Sequence, residues 1–237
     1  MTVRSAKYRP RRINRYVAQM GYSAAVVHEG PTEVKFGPMA VAGANNILGG
    51  QSIATAGSTT TFLQDNTDPV NSSFAQEFPY GPGFGRCLQV VSDGAATSTV
   101  TITGRDYLGQ PVVEQFTLNG TNAVVGVKAF KYIDKIAWAG TASRTINVGT
   151  TDKLGLPFRA FNVLSEQLDG VRVATLGTLV TPSRVDPQTN VTTDPRGTYD
   201  PQSTLNGSAY LSAHFLFDGS INANNNGGLH GLRHYGG

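Results

Sequence analysis

The stretch VTITGRDYLGQPVVEQFTLNG, Val100 to Gly120, decides the fold class. Val100 and Ile102 share one face of an alternating run over Thr97 to Thr103, which is the two-residue period of a half-buried strand. GRDYLGQP then reads as a turn. Val112, Phe116 and Leu118 share a face of the next strand, and Glu114 stands on that same apolar face. Asn119-Gly120 is a strong hairpin signal, because both residues tolerate the positive φ that a tight primed turn requires. Outward from here the pattern continues. Phe130, Tyr132, Ile136 and Trp138 fall at even spacing in one run, and Ile146 and Val148 pair in another. The expectation is a β-meander of strand, turn, strand, turn, strand, turn, strand.

The flanks agree. Residues 24–65 mix short apolar runs with Gly and Pro and read as short strands and loops. DGVRVATLGTLV adds one or two strands. SAYLSAHFLFDG adds a last one, with Leu211, Ala213, Phe215 and Phe217 on one side. Ala160–Leu168 could form one short helix, and the N-terminal arm reads as extended or as a short helix around Ile13–Met20. The fold class expected is all-β, a β-sandwich of jelly-roll type, with an extended N-terminal arm and a C-terminal tail. The expected organisation is a basic arm at 1–23, a β domain at 24–220 and a Gly/Asn-rich tail at 221–237. Within the domain, 181–207 reads as a long irregular loop, with three Asp-Pro steps and no apolar periodicity.

Composition narrows the function. Of 237 residues only 15% are charged, and Gly, Thr, Asn and Ser fill the difference. A single cysteine, Cys87, excludes an internal disulfide framework. No apolar run approaches the length of a membrane-spanning helix, and the basic N-terminus lacks the apolar stretch of a signal peptide. The net charge of +3 hides an asymmetry. The first 20 residues hold Arg4, Lys7, Arg9, Arg11, Arg12 and Arg15 without an acid, leaving 13 basic against 16 acidic residues in the rest.

The search for reactive groups returns little. FPYGPGFG, Phe78 to Gly85, touches the spacing of a phosphate loop, but Pro82 lies inside it and a strand, not a helix, follows. His230 and His234 have metal-ligand spacing only on a helix, and their Gly-rich surroundings do not favour one. His214 alternates within a strand and reads as a sheet-face residue. Cys87, beside Arg86, reads as a buried, inert thiol. No G-x-S-x-G or H-E-x-x-H is present. Asp106 and Asp134 read as turn or rim residues. Glu114 needs a partner if buried, with Arg105 and Lys128 the candidates, and reads otherwise as part of a surface ion pair. No enzyme activity, metal, cofactor or small-molecule substrate is expected.

The most specific feature is the arm, RSAKYRPRRINRY, where arginines interleave with Tyr8 and Tyr16. Arginine with stacking tyrosine suits nucleic acid. The same residues suit docking on an acidic neighbouring subunit through Arg–carboxylate pairs and buried Tyr anchors, and the acidic balance of the body favours this second reading. The expected contact residues are Arg4, Lys7, Tyr8, Arg9, Arg11, Arg12, Arg15 and Tyr16.

Finally, TGRDYLGQPVVEQFTLNGTNAVVGVKAFKYIDKIAW, followed by INVGTTDKLGLPFR and later DPRGTYDP, resembles structural proteins of tailed-bacteriophage virions over residues 85–210. The resemblance implies a head decoration or cement protein, a minor head protein, or a head–tail connection or collar component, located in the virion after assembly in the host cytoplasm. It implies partners among virion proteins (major capsid, portal or neck proteins) and copies of the chain itself. It carries over no functional residue. A carbohydrate- or receptor-binding β-sandwich is the alternative, with Phe78, Tyr80 and Phe84 as stacking platforms.

Overall fold

The computed structural model describes residues 31–62, 84–107, 109–141, 143–182 and 194–217, together with 221–222 and 225–226. Among them every regular element is a strand. The first three are short, β1 (Pro31–Pro38), β2 (Leu48–Ser52) and β3 (Gly57–Thr59). The middle of the chain gives β4 (Arg86–Ser92), β5 (Thr99–Arg105), β6 (Pro111–Thr117), β7 (Val124–Phe130), β8 (Tyr132–Trp138) and the long β9 (Thr145–Gly155). Then come β10 (Ala160–Leu168), β11 (Val171–Arg172), β12 (Thr178–Val180), β13 (Thr198–Asp200) and β14 (Tyr210–Phe217), with the two-residue pair β15 (Ile221–Asn222) and β16 (Asn225–Asn226). The all-β expectation is met.

Three antiparallel sheets carry the fold. The hairpin sheet, built on β5 and β6, has the order β3-β8-β5-β6; β7 and β9 lie in another sheet, so the expected meander does not form. The central sheet runs β12-β13-β9-β4-β7, with β2 also on β9. The terminal sheet runs β1-β14-β10-β11. The opening stretch supplies β5 and β6, paired in unbroken register from Thr99↔Thr117 to Arg105↔Pro111. Their inward residues Val100, Ile102, Val112, Phe116 and Leu118 are all buried. The turn beyond them closes on an Asn119↔Asn122 bridge, and Gly120 takes a φ of 59° there.

Two apolar cores result. The first lies between the hairpin sheet and the central sheet and includes Leu88, Val90, Phe130, Ile136, Trp138, Ile146 and Val148. This is face-to-face sandwich packing, where residues of both inner faces interdigitate. The second lies against the terminal sheet and includes Val34, Phe36, Leu154, Tyr199, Leu211 and Phe215. β9 joins them, since Ile146 and Val148 enter the first core and Leu154 the second.

Three further expectations change. Ala160–Leu168 is a strand, not a helix. It pairs with β14 through two register shifts, between Ala160 and Asn162 and between Val163 and Ser165. Each bulge inserts a residue and breaks the alternation that would have announced a strand. The run from Val124 to Trp138 is two strands in different sheets, divided at Lys131. The stretch 181–207 is not all an outlying loop. Within its described part, β13 pairs with β9 and β12, and Asp194, Arg196, Thr198, Tyr199 and Leu205 are buried. Its burial is polar as much as apolar, so hydrophobic periodicity could not reveal it.

Candidate functional site

The charged side chains converge on the seam between the two cores, and backbone geometry explains why. Both neighbours of β4 bulge at the same level. On β9, Thr151 to Lys153 stand against the single Cys87, because Arg86 pairs Leu154 and Leu88 pairs Thr150. On β7, Gly126 to Lys128 stand against the single Leu88, because Cys87 pairs Ala129 and Gln89 pairs Val125. Bulges of this size leave peptide groups outside the ladder, and buried peptide groups must find partners.

Buried side chains supply them. Glu114, on β6, accepts hydrogen bonds from the N–H of Val127 (2.6 Å) and Lys128 (3.4 Å). Asp194 accepts from Ala129 N–H (3.0 Å) and Arg196 N–H (2.8 Å). Arg86 donates to the carbonyls of Thr151 and Ala40, each at 2.8 Å, and to Asp152 at 3.1 Å. Gly126 is required beside Glu114, because a Cβ there would lie 2.6 Å from the carboxylate. A second link closes the seam, where Arg196 donates to Asp106 at 2.6 Å with both side chains buried. The same guanidinium lies 4.6 Å from the ring centroid of Tyr107.

Burial sets the protonation. It pushes the Glu114 carboxyl up to about 7, against the pull of the Val127 N–H and the Lys128 charge. It likewise raises Asp194, opposed by Arg196 and by backbone hydrogen bonds, and it raises the Cys87 thiol well above its ordinary value. Raised carboxylates in a cleft would suggest acid–base chemistry. Here each is spent on a bulge.

Several sequence expectations are settled by this arrangement. Glu114 is 6% exposed, so it is not a surface ion-pair residue. Lys128 is the one of its two expected partners that acts on it, through its backbone N–H and its charge. Arg105 pairs instead with Asp134 at 3.1 Å, both half-exposed, as suits a rim residue. Asp106 does lie at a turn, where its carboxylate accepts from Gln110 N–H, but it is buried.

One Ser–His contact exists on the outer face of the terminal sheet. Ser165 Oγ lies 3.0 Å from His214 Nδ1, and Glu33 stands opposite His214 on β1. Glu33 is engaged with Lys35 at 3.7 Å. Acyl transfer needs hydrogen-bond donors converging on a developing oxyanion as well as a base beside a hydroxyl. What this row offers is a strip of donors and acceptors on a sheet face. Among the described residues no group of three or more His, Cys, Asp or Glu side chains is arranged to hold a metal.

Neither protein-family models, nor curated proteins, nor solved structures give a match to this chain.

The contact residues expected from the sequence, Arg4, Lys7, Tyr8, Arg9, Arg11, Arg12, Arg15 and Tyr16, lie outside the described residues, as do Phe78, Tyr80, His28, His230 and His234. Phe84 is described and does not stand free. It packs edge-on against Phe36 and Tyr107 at the second core. Among the described residues the larger apolar side chains that face solvent are Val41, Val125, Phe161, Val171 and Tyr210. The described body is almost charge-balanced, with 11 basic and 10 acidic residues. The acidic excess of residues 21–237 therefore belongs to segments outside the described residues. Residues 63–83 hold Asp65, Asp68 and Glu77 and no base.

Proposed function

We propose that this chain is a non-enzymatic structural component of a bacteriophage virion that binds neighbouring subunits through its terminal segments to decorate or cement the head. The observation that carries the reading is the separation of charge. In the body the buried charges are engaged internally, at bulges, in ion pairs and in hydrogen bonds to neutral groups, whereas residues 1–20 concentrate six cations without an acid. Segments 1–20 and 63–83 have opposite charge, so copies of one chain can complement each other, and a symmetric assembly repeats that contact many times.

The topology adds support. Pro31 pairs with Leu216, so the chain enters β1 and leaves β14 at one corner of the terminal sheet. Segments 1–30 and 218–237 can therefore reach the same neighbour. The contact residues are Arg4, Lys7, Tyr8, Arg9, Arg11, Arg12, Arg15 and Tyr16, with Tyr8 and Tyr16 as anchors. A head–tail connector or collar position is the alternative placement, and copy number per particle distinguishes it from a head lattice.

The test is deletion of residues 1–22 followed by co-sedimentation with assembled particles. The expected result is a folded body that no longer incorporates. Replacing Asp65, Asp68 and Glu77 by lysine should weaken incorporation in the same way. If the truncated chain incorporates normally, the proposal fails. If the arm retains nucleic acid at physiological salt and does not bind particles, it is a nucleic-acid arm instead.

A further inference from the structure

Glu166 is a carboxylate engaged through both of its oxygens. It is 0% exposed, on the inner face of β10. Its Oε2 accepts from Tyr199 Oη at 2.5 Å, Gln202 N–H at 3.0 Å and Gly177 N–H at 3.1 Å, and its Oε1 accepts from Ser203 N–H at 2.9 Å. Three of these four donors belong to the segment from β13 to Ser203. All four are neutral groups. A buried carboxylate held only by neutral donors forms a compact anion nest, and such hydrogen bonds are worth more than neutral ones.

The same segment covers apolar surface. Tyr199 is 0% and Leu205 2% exposed. The Tyr199 ring stacks on Phe36 at 6.3 Å and meets Phe215 edge-on at 5.1 Å. Residues 199–205 thus form a strap across the inner face of the terminal sheet. β13 is tied to β9 by two register pairs, Thr198↔Gly155 and Tyr199↔Leu154, and to β12 by three, from Thr178↔Asp200 to Val180↔Thr198, but beyond Asp200 no ladder holds the strap.

We infer that the Glu166 carboxylate is an acid-sensitive latch whose protonation frees the strap 199–205 and uncovers the Phe36–Phe215 face of the terminal sheet. The geometry requires the ionised form. A protonated carboxyl presents a hydrogen to a site already filled with donors, so at least one bond is lost and one donor is left buried and unpaired. Burial by itself raises the Glu166 carboxyl, but the Tyr199 and Ser203 side chains and the backbone N–H groups of Gln202 and Ser203 outweigh it, and the net displacement is downward. A carboxyl depressed in the closed state stabilises closure above its ordinary value of 4.5 and loses that contribution as the pH falls through the depressed value.

Other titratable groups of the packed elements act differently. Arg172 opposes Gln167 and His214 opposes Ser165, and alternation sends both, with Glu33 and Lys35 opposite β14, to the other face of the sheet. Asp200, next to Tyr199, is raised by burial, with Lys153 opposing. Asp194, upstream on the same segment, is also raised by burial. Both gain in the closed state as they protonate, so acid release localises to Glu166. The latch does not depend on the virion reading.

The experiment is hydrogen exchange of the full chain across pH 7 to 3, expressed as protection factors, with a dye for exposed apolar surface as a second readout. Peptides covering 199–205 should lose about tenfold or more in protection below pH 4.5, while those covering 99–105 and 132–138 hold, and dye fluorescence should rise in the same window. Tyr199→Phe, which keeps the ring and removes one donor, should move the release to higher pH. Glu166→Gln should release the strap already at pH 7. A strap as protected as β5 at every pH, a single loss of protection across the whole chain, or a Tyr199→Phe midpoint equal to the parent's would each overturn the latch.

Discussion

Glu114 shows how one residue can be conspicuous in sequence and still be misjudged. An acid on the face shared by Val112 and Phe116 is visible from alternation alone. Its task is not visible, because the N–H groups it caps are exposed by a bulge on β7. With its carboxyl raised from 4.5 to about 7, Glu114 favours the folded state at low pH. That contribution is complete below 4.5 and fades as the pH rises through 7, a change of about 3 kcal/mol. Glu114→Gln should flatten this slope between pH 5 and 8 in urea melts. Asp106 was legible as a turn residue but not as a buried one, since Arg196 follows it by 90 positions. Arg196→Met strands a buried carboxylate and should cost about 3–5 kcal/mol. Adding Asp106→Leu should recover part of that loss, measured by the same melts.

At the scale of elements, strands with clean alternation were readable and strands with bulges were not. β5 and β6 pair without interruption, so their period of two survives in sequence. β10 carries two bulges, and Phe161, Leu164 and Leu168 then fall at spacings a helix would also give. The divide between β7 and β8 rests on Lys131 alone, where the chain passes from one sheet to another without any of the usual turn residues. β7 gives the sharpest test of the bulge. A methyl at Gly126 meets the Glu114 carboxylate at 2.6 Å and the Leu88 carbonyl at 3.0 Å. Gly126→Ala should therefore destabilise by about 1–3 kcal/mol, and Glu114→Gln should not relieve it, because the Leu88 backbone cannot withdraw.

For the whole molecule, the expectation of an all-β body with functional extremities could be drawn from composition and pattern. The division of its interior into two cores could not, because β9 joins them through long-range pairing. Sharing β9 has a thermodynamic consequence. Trp138, the single tryptophan, reports on the first core, and Phe215 belongs to the second. Phe215→Ala should cost about 3–5 kcal/mol, and it should lower the unfolding midpoint seen by Trp138 fluorescence by the full amount. Two separated transitions would mean that the cores melt independently.

The pairing of Pro31 with Leu216 also fixes how the body answers a pull. Tension applied through the two flanking segments arrives at the same end of an antiparallel pair, so β1 and β14 part like a zipper, one rung after another, rather than sliding against all their rungs at once. A subunit tethered by both extremities would thus yield first at this corner, at low force, while the hairpin sheet bears no load.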